Sequence, residues 1–428
     1  MKKFIHKLFS MRNIFSVILY LLPKRLSHPL IRRKINLNYK LPKDLIFKIA
    51  ETKYEREQAF QILQEAFLER NLVDKNETGI RVTKYHALPT TSVLIIKDKN
   101  KVIGTMSVIN DSPLRLPVDE LSDISEMRKN HKKITEVSAF AIRKGLKYSR
   151  SYLMFPIMRF MSEYTHFYLH SDCLIIATHP RMQSFYTAVL GFKPVDNKIY
   201  HYEFVKGAKA FIQYIRFDDA LKWQEKIYRG KPPKKSYYSY AQFDFSDNFI
   251  FPERTYYQSF DATMSAEDLD YFFNDKSNIF SNLSLDEKKK IKELYFFKYY
   301  NKIIEKDEKN FQRKYPRFPT NCPTRITAPA KQSSNGLKQD VEHQGIVTQV
   351  GEKGVGVYSS RSLKLNEPVY LNIQLADDAQ ALIKANPIWT DNNGQYGCEL
   401  IQNKSGNAWA KFIFYLEKDF FNLEKKSA

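Results

Sequence analysis

The sequence predicts an α+β first domain, then a helical connector, then a small β-barrel. Three observations carry this. Between about residues 50 and 217, helical and strand patterns alternate in the order helix, hairpin, strand, helix, strand, helix. The second half of that series reads as a strand–helix–strand crossover, which belongs in a sheet with a parallel pair. From about residue 312 helical periodicity gives way to short β-rich runs between Gly and Asn turns, the pattern of a small barrel with a final helix.

Residues 1–48 hold twelve Lys and Arg and one acid, Asp44, so +11 of the formal +21 of the 428-residue chain lies there. Within them Ile14 to Leu22 is apolar but short, with cations on both sides. Pro23-Lys24-Arg25-Leu26 follows it instead of a small-x-small cleavage site, which counts against a signal peptide. One reading is a basic amphipathic segment seated on an anionic membrane surface. The alternative is a short helix packed on the next domain with a solvated basic tail. No stretch reaches the roughly 18–20 apolar residues of a membrane-spanning helix. Three scattered cysteines, Cys173, Cys322 and Cys398, form neither a disulfide framework nor a cysteine zinc site, and a reducing compartment fits them.

Over residues 49–220, Thr52-x-x-Glu55 is a capping box that opens a helix whose Ala59, Ile62, Leu63, Ala66 and Phe67 share one face. Val93–Ile96 and Val102–Val108 flank a polar turn and read as a hairpin. Thr135–Ile142 is the third strand, residues 150–168 a helix, Leu174–Thr178 the fourth strand, and Arg181 to Leu190 a helix closed by Gly191. Phe211–Phe217 is a further strand. His166 and His170 stand four apart on a helix, but no Glu follows the first in the metalloprotease pattern, and no metal is expected.

Several ordered blocks in residues 45–220 resemble the N-acyl amino acid synthases, a GNAT-type acyltransferase branch related in fold to acyl-homoserine lactone synthases. They are Thr78–Thr91, the loop Asn110–Leu121, Glu136-Val137-Ser138, and His179-Pro180-Arg181-x-x-x-Phe185-Tyr186 with Gly191-Phe192. The resemblance implies transfer of a fatty acyl group from an acyl carrier protein thioester to the amine of an amino acid or similar small molecule, with no bound cofactor. Glu136 is then the candidate base, acting directly or through water, and the N–H groups of Ala139 or Phe140 the oxyanion donors. Arg81 and Ser138 are candidate acceptor contacts, Arg81 through the acceptor carboxylate. His179 would line the site or relay a proton, and Tyr186 would protonate the departing thiolate.

Plain structural alternatives stand beside these: a strand-end salt bridge for Glu136, loop anchoring for Arg81, sheet packing for Tyr186. Two departures from general GNAT sequences bear on the donor and the acid. Residues 143–150 carry one glycine, which argues against a coenzyme A cradle. Arg143, Lys144, Lys147 and Arg150 instead suit an acidic carrier protein. Tyr186 stands five residues before Gly191 where four is usual, which questions its role as acid.

Residues 221–311 form an aromatic-rich arm and a helical connector, with one long helix expected from Ser284 through Ile304. Basic residues interleave with tyrosines here, but no nucleic-acid motif accompanies them, so neither DNA nor RNA is expected as a partner. Residues 312–428 resemble a PilZ domain, the receptor module for cyclic di-GMP, on Arg313-Lys314-Tyr315-Pro316-Arg317 and the strand order after it. Its second motif, Asp/Asn-x-Ser-x-x-Gly, reads Gln349-Val350-Gly351-Glu352-Lys353-Gly354 and keeps the last glycine only. The resemblance implies a possible regulatory site for cyclic di-GMP on Arg313, Arg317, Gln349, Gly351 and Gly354; the alternative is a barrel kept for protein contacts. The whole reads as a cytoplasmic N-acyltransferase at the inner face of the membrane. An acyl-homoserine-lactone-type synthase and a non-catalytic cyclic di-GMP effector are the competing readings.

Overall fold

A computed structural model describes residues 22–130, 133–295, 298–304, 315–328, 341–391 and 394–427. Most of the apolar run 14–22 and Arg313 lie outside the described residues.

Helix α1 (Lys24–Lys34), which follows that run, packs on the first domain: Ser27 is buried and Arg32 Nη1 donates to the Ala188 carbonyl at 3.1 Å. Residues 45–48 also leave the basic segment, because β1 (Leu45–Ile49) is a strand of the main sheet. Charge counting hid its alternation, with Leu45, Phe47 and Ile49 buried. Helix α2 (Lys53–Glu69) opens at Thr52 as expected, Thr52 Oγ1 accepting from Glu55 N at 3.2 Å, but the other half of the expected capping box shifts by one residue, Glu55 Oε2 accepting from Glu51 N at 3.0 Å instead of from Thr52 N.

The hairpin is β2 (Thr91–Asp98) and β3 (Lys101–Asn110); α3 (Ser125–Asn130) leads into β4 (Ile134–Ile142), and α4 (Arg150–Glu163) crosses over to β5 (Cys173–Thr178). With β6 (Lys193–Pro194), β7 (Tyr200–Tyr202) and β8 (Ala208–Arg216), the sheet order is β1-β2-β3-β4-β5-β8-β6, and β7 pairs with β8. Among the described strands of this sheet only β4 and β5 pair in parallel, as the crossover requires.

Two cores sandwich the sheet. One lies under α2 and continues through residues 260–304 into the barrel; the other lies under α4, α5 (Phe217–Tyr228) and α6 (Tyr237–Ala241). The aromatic arm is packed protein, with Tyr237, Tyr240, Phe245 and Phe249 buried in the second core. The expected long helix is two, α7 (Leu285–Lys292) and α8 (Lys298–Ile304). Leu294 N turns back to Ile291 O at 3.0 Å, so Leu294 and Tyr295 enter the core instead of continuing the helix.

The tail closes as a barrel in the order β10-β11-β14-β13-β12-β9, from β9 (Arg317–Ala328), β10 (Val341–Gly351), β11 (Gly354–Ser359), β12 (Val369–Ala376), β13 (Ala379–Thr390) and β14 (Gln395–Asn403). Helix α9 (Asn407–Ser427) lays Trp409, Phe412, Leu416 and Phe420 against it, the spacing of one helix face. No helix among the described residues is long and apolar enough to cross a membrane.

Candidate active site

β4 and β5 pair only from Ile134–Cys173 to Glu136–Ile175, and then diverge. On its other side β4 carries a bulge, since Ser107 faces Ser138 and Thr105 faces Ala141, leaving Ala139 and Phe140 opposite Met106 alone. Ala139 takes φ 55°, a strained setting for a residue with a Cβ, and such a bulge re-aims backbone groups out of the ladder. A cavity of about 930 Å3 opens at this point, lined by Val137, Ser138, Ala139 and Phe140 on one wall and Ile176 to His179 on the other. Its lining draws on both cores, Leu63 and Ile109 from one and Met158 and Leu174 from the other, so it passes through the sheet.

The two arms differ chemically. Towards α4 the walls are Met154, Met158, Met161, Leu190 and Phe192, with Ala220 and Tyr237 beyond, an apolar channel suited to a hydrocarbon chain. Towards α2 lie Arg81, Tyr85, His86, Ser107 and Tyr202. The half-buried Arg81 guanidinium sits between the rings of Phe67 and Phe204 at 4.7 and 4.9 Å, and donates to the Phe204 carbonyl at 3.3 Å. Among the described residues it has no carboxylate partner, and desolvation lowers its pKa. A guanidinium held this way is a ready site for an anion entering the cavity.

His86, absent from the sequence-derived candidates, is fully embedded. Thr83 N donates to its Nδ1 at 3.1 Å, so its proton sits on Nε2, which faces Ser107 Oγ at 3.0 Å. Burial, then Arg81, drives its pKa down to about 3, so the ring is neutral. Ser107 therefore accepts from His86 and keeps its own proton for a group in the cavity. No spacing signal pointed to this pair, because the two residues are twenty-one positions apart and meet only through sheet register.

Glu136 is 2% exposed and does not itself line the cavity. Its Oε2 accepts from Val118 N at 2.8 Å. Three residues that line the cavity are its neighbours, Pro117 next to Val118 and Tyr85 and Tyr202 through the charge of the carboxyl, so any contact with a substrate is indirect. Burial raises its pKa to about 8, against the Val118 hydrogen bond and with the help of Asp119, Glu120 and Asp111. The salt-bridge alternative does not apply, as no cation pairs with Glu136 among the described residues.

His179 is exposed at the mouth, its Nδ1 accepting from Arg181 N at 3.2 Å. Tyr186 lines the cavity despite its unusual spacing. Residues Tyr186–Leu190 form a π-turn, which absorbs the extra residue. Gly191 then closes the turn at φ 92°, where a Cβ would meet the Trp223 ring at 2.7 Å, so only glycine fits.

The expected docking cluster divides. Arg143 faces Glu65 at 3.8 Å, Lys144 faces Glu69 at 2.5 Å and Lys147 faces Asp98 at 3.3 Å, leaving little net charge on those three. Arg150 instead lines the cavity mouth with Arg70, Arg181 and Lys209; all four are exposed, and none has a carboxylate partner among the described residues.

In the barrel, register brings Arg317 beside Gly351, and a Cβ on Gly354 would stand 3.2 Å from the Arg317 guanidinium. Gln349 is half-buried two residues before Gly351 on β10, paired with Pro319 and Gly356. Among the described residues no group of three His, Cys, Asp or Glu could hold a metal.

Residues 58–214 match the family model described as N-acyl amino acid synthase FeeM. Among solved structures the chain is similar to FeeM, an N-acyl amino acid synthase from uncultured soil microbes, at 22% identity and TM-score 0.36, over 42% of this chain and 94% of that one. It is similar to the AHL synthase LasI at 18% identity and TM-score 0.30, over 40% of this chain and 89% of that one. Similarity to the PilZ domain of CeSA from a cellulose synthesizing bacterium is 17% identity and TM-score 0.17, over 25% of this chain and 96% of that one. No curated protein matches the chain.

Proposed function

We propose that this chain, whose residues 58–214 match the model of the N-acyl amino acid synthase family, is an N-acyltransferase that moves a fatty acyl group from an acyl carrier protein to the amine of an amino acid or similar small molecule. One observation carries the reading: a through-sheet cavity holds an apolar channel on one side and on the other a guanidinium, Arg81, with no carboxylate partner among the described residues, with the β4 bulge between them.

On this reading the acyl chain lies along Met154, Met158 and Met161, the thioester carbonyl meets the N–H groups at Ala139 and Phe140, and Arg81 holds the acceptor carboxylate. The amine nitrogen attacks the carbonyl carbon and forms the C–N bond. Its proton passes through water to Glu136, and collapse breaks the C–S bond. Tyr186 returns a proton to the thiolate; burial raises its pKa, so its hydroxyl holds that proton at neutral pH. Arg70, Arg150, Arg181 and Lys209 at the mouth suit an acidic carrier and its phosphopantetheine phosphate better than the ion-paired Arg143, Lys144 and Lys147. The proposed location is the cytoplasmic face of the membrane, and its support is the +11 charge of residues 1–48.

Mass spectrometry of lipid extracts from cells expressing the chain tests this. New N-acylated amino acids, lost with Glu136→Gln, support it; acyl lactones would point to the homoserine-lactone-type reaction; no new lipid would point to a non-catalytic effector.

The barrel is proposed as a cyclic di-GMP receptor, because Arg317 and the Gly351–Gly354 hairpin come together where an arginine fork can meet phosphate or guanine. Calorimetric titration of the full chain and its Arg317→Ala variant with cyclic di-GMP tests binding. An acylation rate and a scattering profile unchanged at saturating nucleotide would exclude regulation.

A further inference from the structure

We infer that Arg128 is a positioning residue for Glu136, and that the barrel seats Arg128 through Tyr358. The inference rests on the reading of Glu136 as the base.

Arg128 lies on the short helix α3, its side chain 7% exposed. Its guanidinium serves two carboxylates at once. Nε and Nη2 donate to Asp111 at 2.5 and 3.1 Å, and Nη1 and Nη2 donate to Asp119, both at 2.6 Å. Both acids belong to the loop that follows β3. Asp119 Oδ2 also accepts from Leu116 N at 2.9 Å, which closes the turn Pro117–Glu120. That turn carries Val118, whose N–H holds the Glu136 carboxylate at 2.8 Å, and Pro117, which lines the cavity. A guanidinium fork on two carboxylates fixes direction as well as distance, so Arg128 sets where the Val118 N–H points.

The barrel reaches the same residue. Tyr358 on β11 donates its hydroxyl to the Arg128 carbonyl, and Arg115 of the same loop faces Asp391 at 3.6 Å. Gly394, at φ 94°, leaves the space the Tyr358 ring needs, since a Cβ there would stand 2.9 Å from it. Tyr358 is four residues after Gly354, so the strand that touches Arg128 begins at the candidate nucleotide hairpin. A movement of β11 therefore bears on Arg128, Asp119, Val118 and Glu136 in turn, along contacts that are each on the molecule.

The groups facing Glu136 are Asp119 and Glu120 from the turn, Asp111 from the loop after β3, and the hydroxyl-bearing rings of Tyr85 and Tyr202. All the acids oppose its ionisation, and the Val118 N–H is what favours it. Loosening the turn releases Asp119 and Glu120 as well, but it withdraws the Val118 N–H, the largest influence after burial, and so raises the pH at which Glu136 becomes a base.

The experiment is the pH profile of kcat/KM for the full chain, Tyr358→Phe and Arg128→Lys, with dodecanoyl-carrier protein and a mixture of the common amino acids. Circular dichroism confirms that each variant is folded; Tyr358→Phe removes only a hydroxyl and guards against loss of the fold in the Arg128 variant. The wild-type profile should rise near pH 8, and in both variants that rise should move up by about one pH unit, with roughly tenfold lower activity at neutral pH that recovers in alkali. Folded variants whose rise stays in place, whatever their overall activity, overturn the positioning role. A wild-type profile whose rise persists in Glu136→Gln overturns the reading of Glu136 itself, and the inference falls with it.

Discussion

The amide of Gly191 bonds to the carbonyl of Tyr186 at 3.1 Å, five residues back instead of four. This π-turn returns Tyr186 to the cavity wall that the residue count had placed in doubt. Tyr186→Phe is expected to lower kcat about 100-fold at unchanged KM, the size of a lost general acid. An unchanged kcat would reduce the ring to packing against Phe185 and Phe192.

Glu136→Gln keeps shape and removes the base, so acyl transfer should fall by roughly 10²- to 10⁴-fold. A stability effect of opposite sign should accompany it. The carboxyl pKa is raised in the fold from its ordinary value to about 8, so Glu136 contributes stability below pH 4.5 that is lost as pH rises through 8. The glutamine variant, which has no proton to lose, should melt at a higher temperature than wild type at pH 9 and show a smaller difference at pH 4. Equal melting curves at both values would contradict the buried, raised carboxyl.

Arg81→Ala should raise KM for the acceptor about 10- to 100-fold, the worth of a hydrogen bond to a charged group, and leave KM for the acyl donor alone. Arg81→Lys should recover only part of this, because an ammonium cannot fork onto a carboxylate or stack between Phe67 and Phe204 in the same way. A donor KM that rises in step with the acceptor KM would place Arg81 elsewhere in the mechanism.

Charge reversal at the cavity mouth, Arg181→Glu with Lys209→Glu, should weaken use of the acyl carrier protein about tenfold at low salt, with the deficit shrinking as salt is added. Reversal of Lys144 and Lys147 should do much less, since both already face acids. Steady-state kinetics across a salt series decides between the two surfaces.

Much of the framework was legible along the chain because it depends on local periodicity. Thr52 and Glu55 announce the start of α2, the polar turn at Lys97–Lys101 announces the β2–β3 hairpin, and Glu136 to Phe140 lie on the strand read from Thr135–Ile142. Misreadings arose where a local signal was outweighed. The cations of residues 1–48 masked the alternation of β1, and the helical pattern after Ser284 broke where Leu294 and Tyr295 found a core to enter.

The sequence by itself determined the order of elements, the basic excess and the residue types from which an acyltransferase and a barrel are built, because these follow from period, composition and spacing within short windows. Only the tertiary structure decided that Ser107 receives a hydrogen from His86, that three of four expected docking cations are already paired, and that a barrel tyrosine touches Arg128. Those facts join residues between 21 and 230 positions apart. Register, burial and the splay of two strands bring such groups together, and no window of sequence contains them.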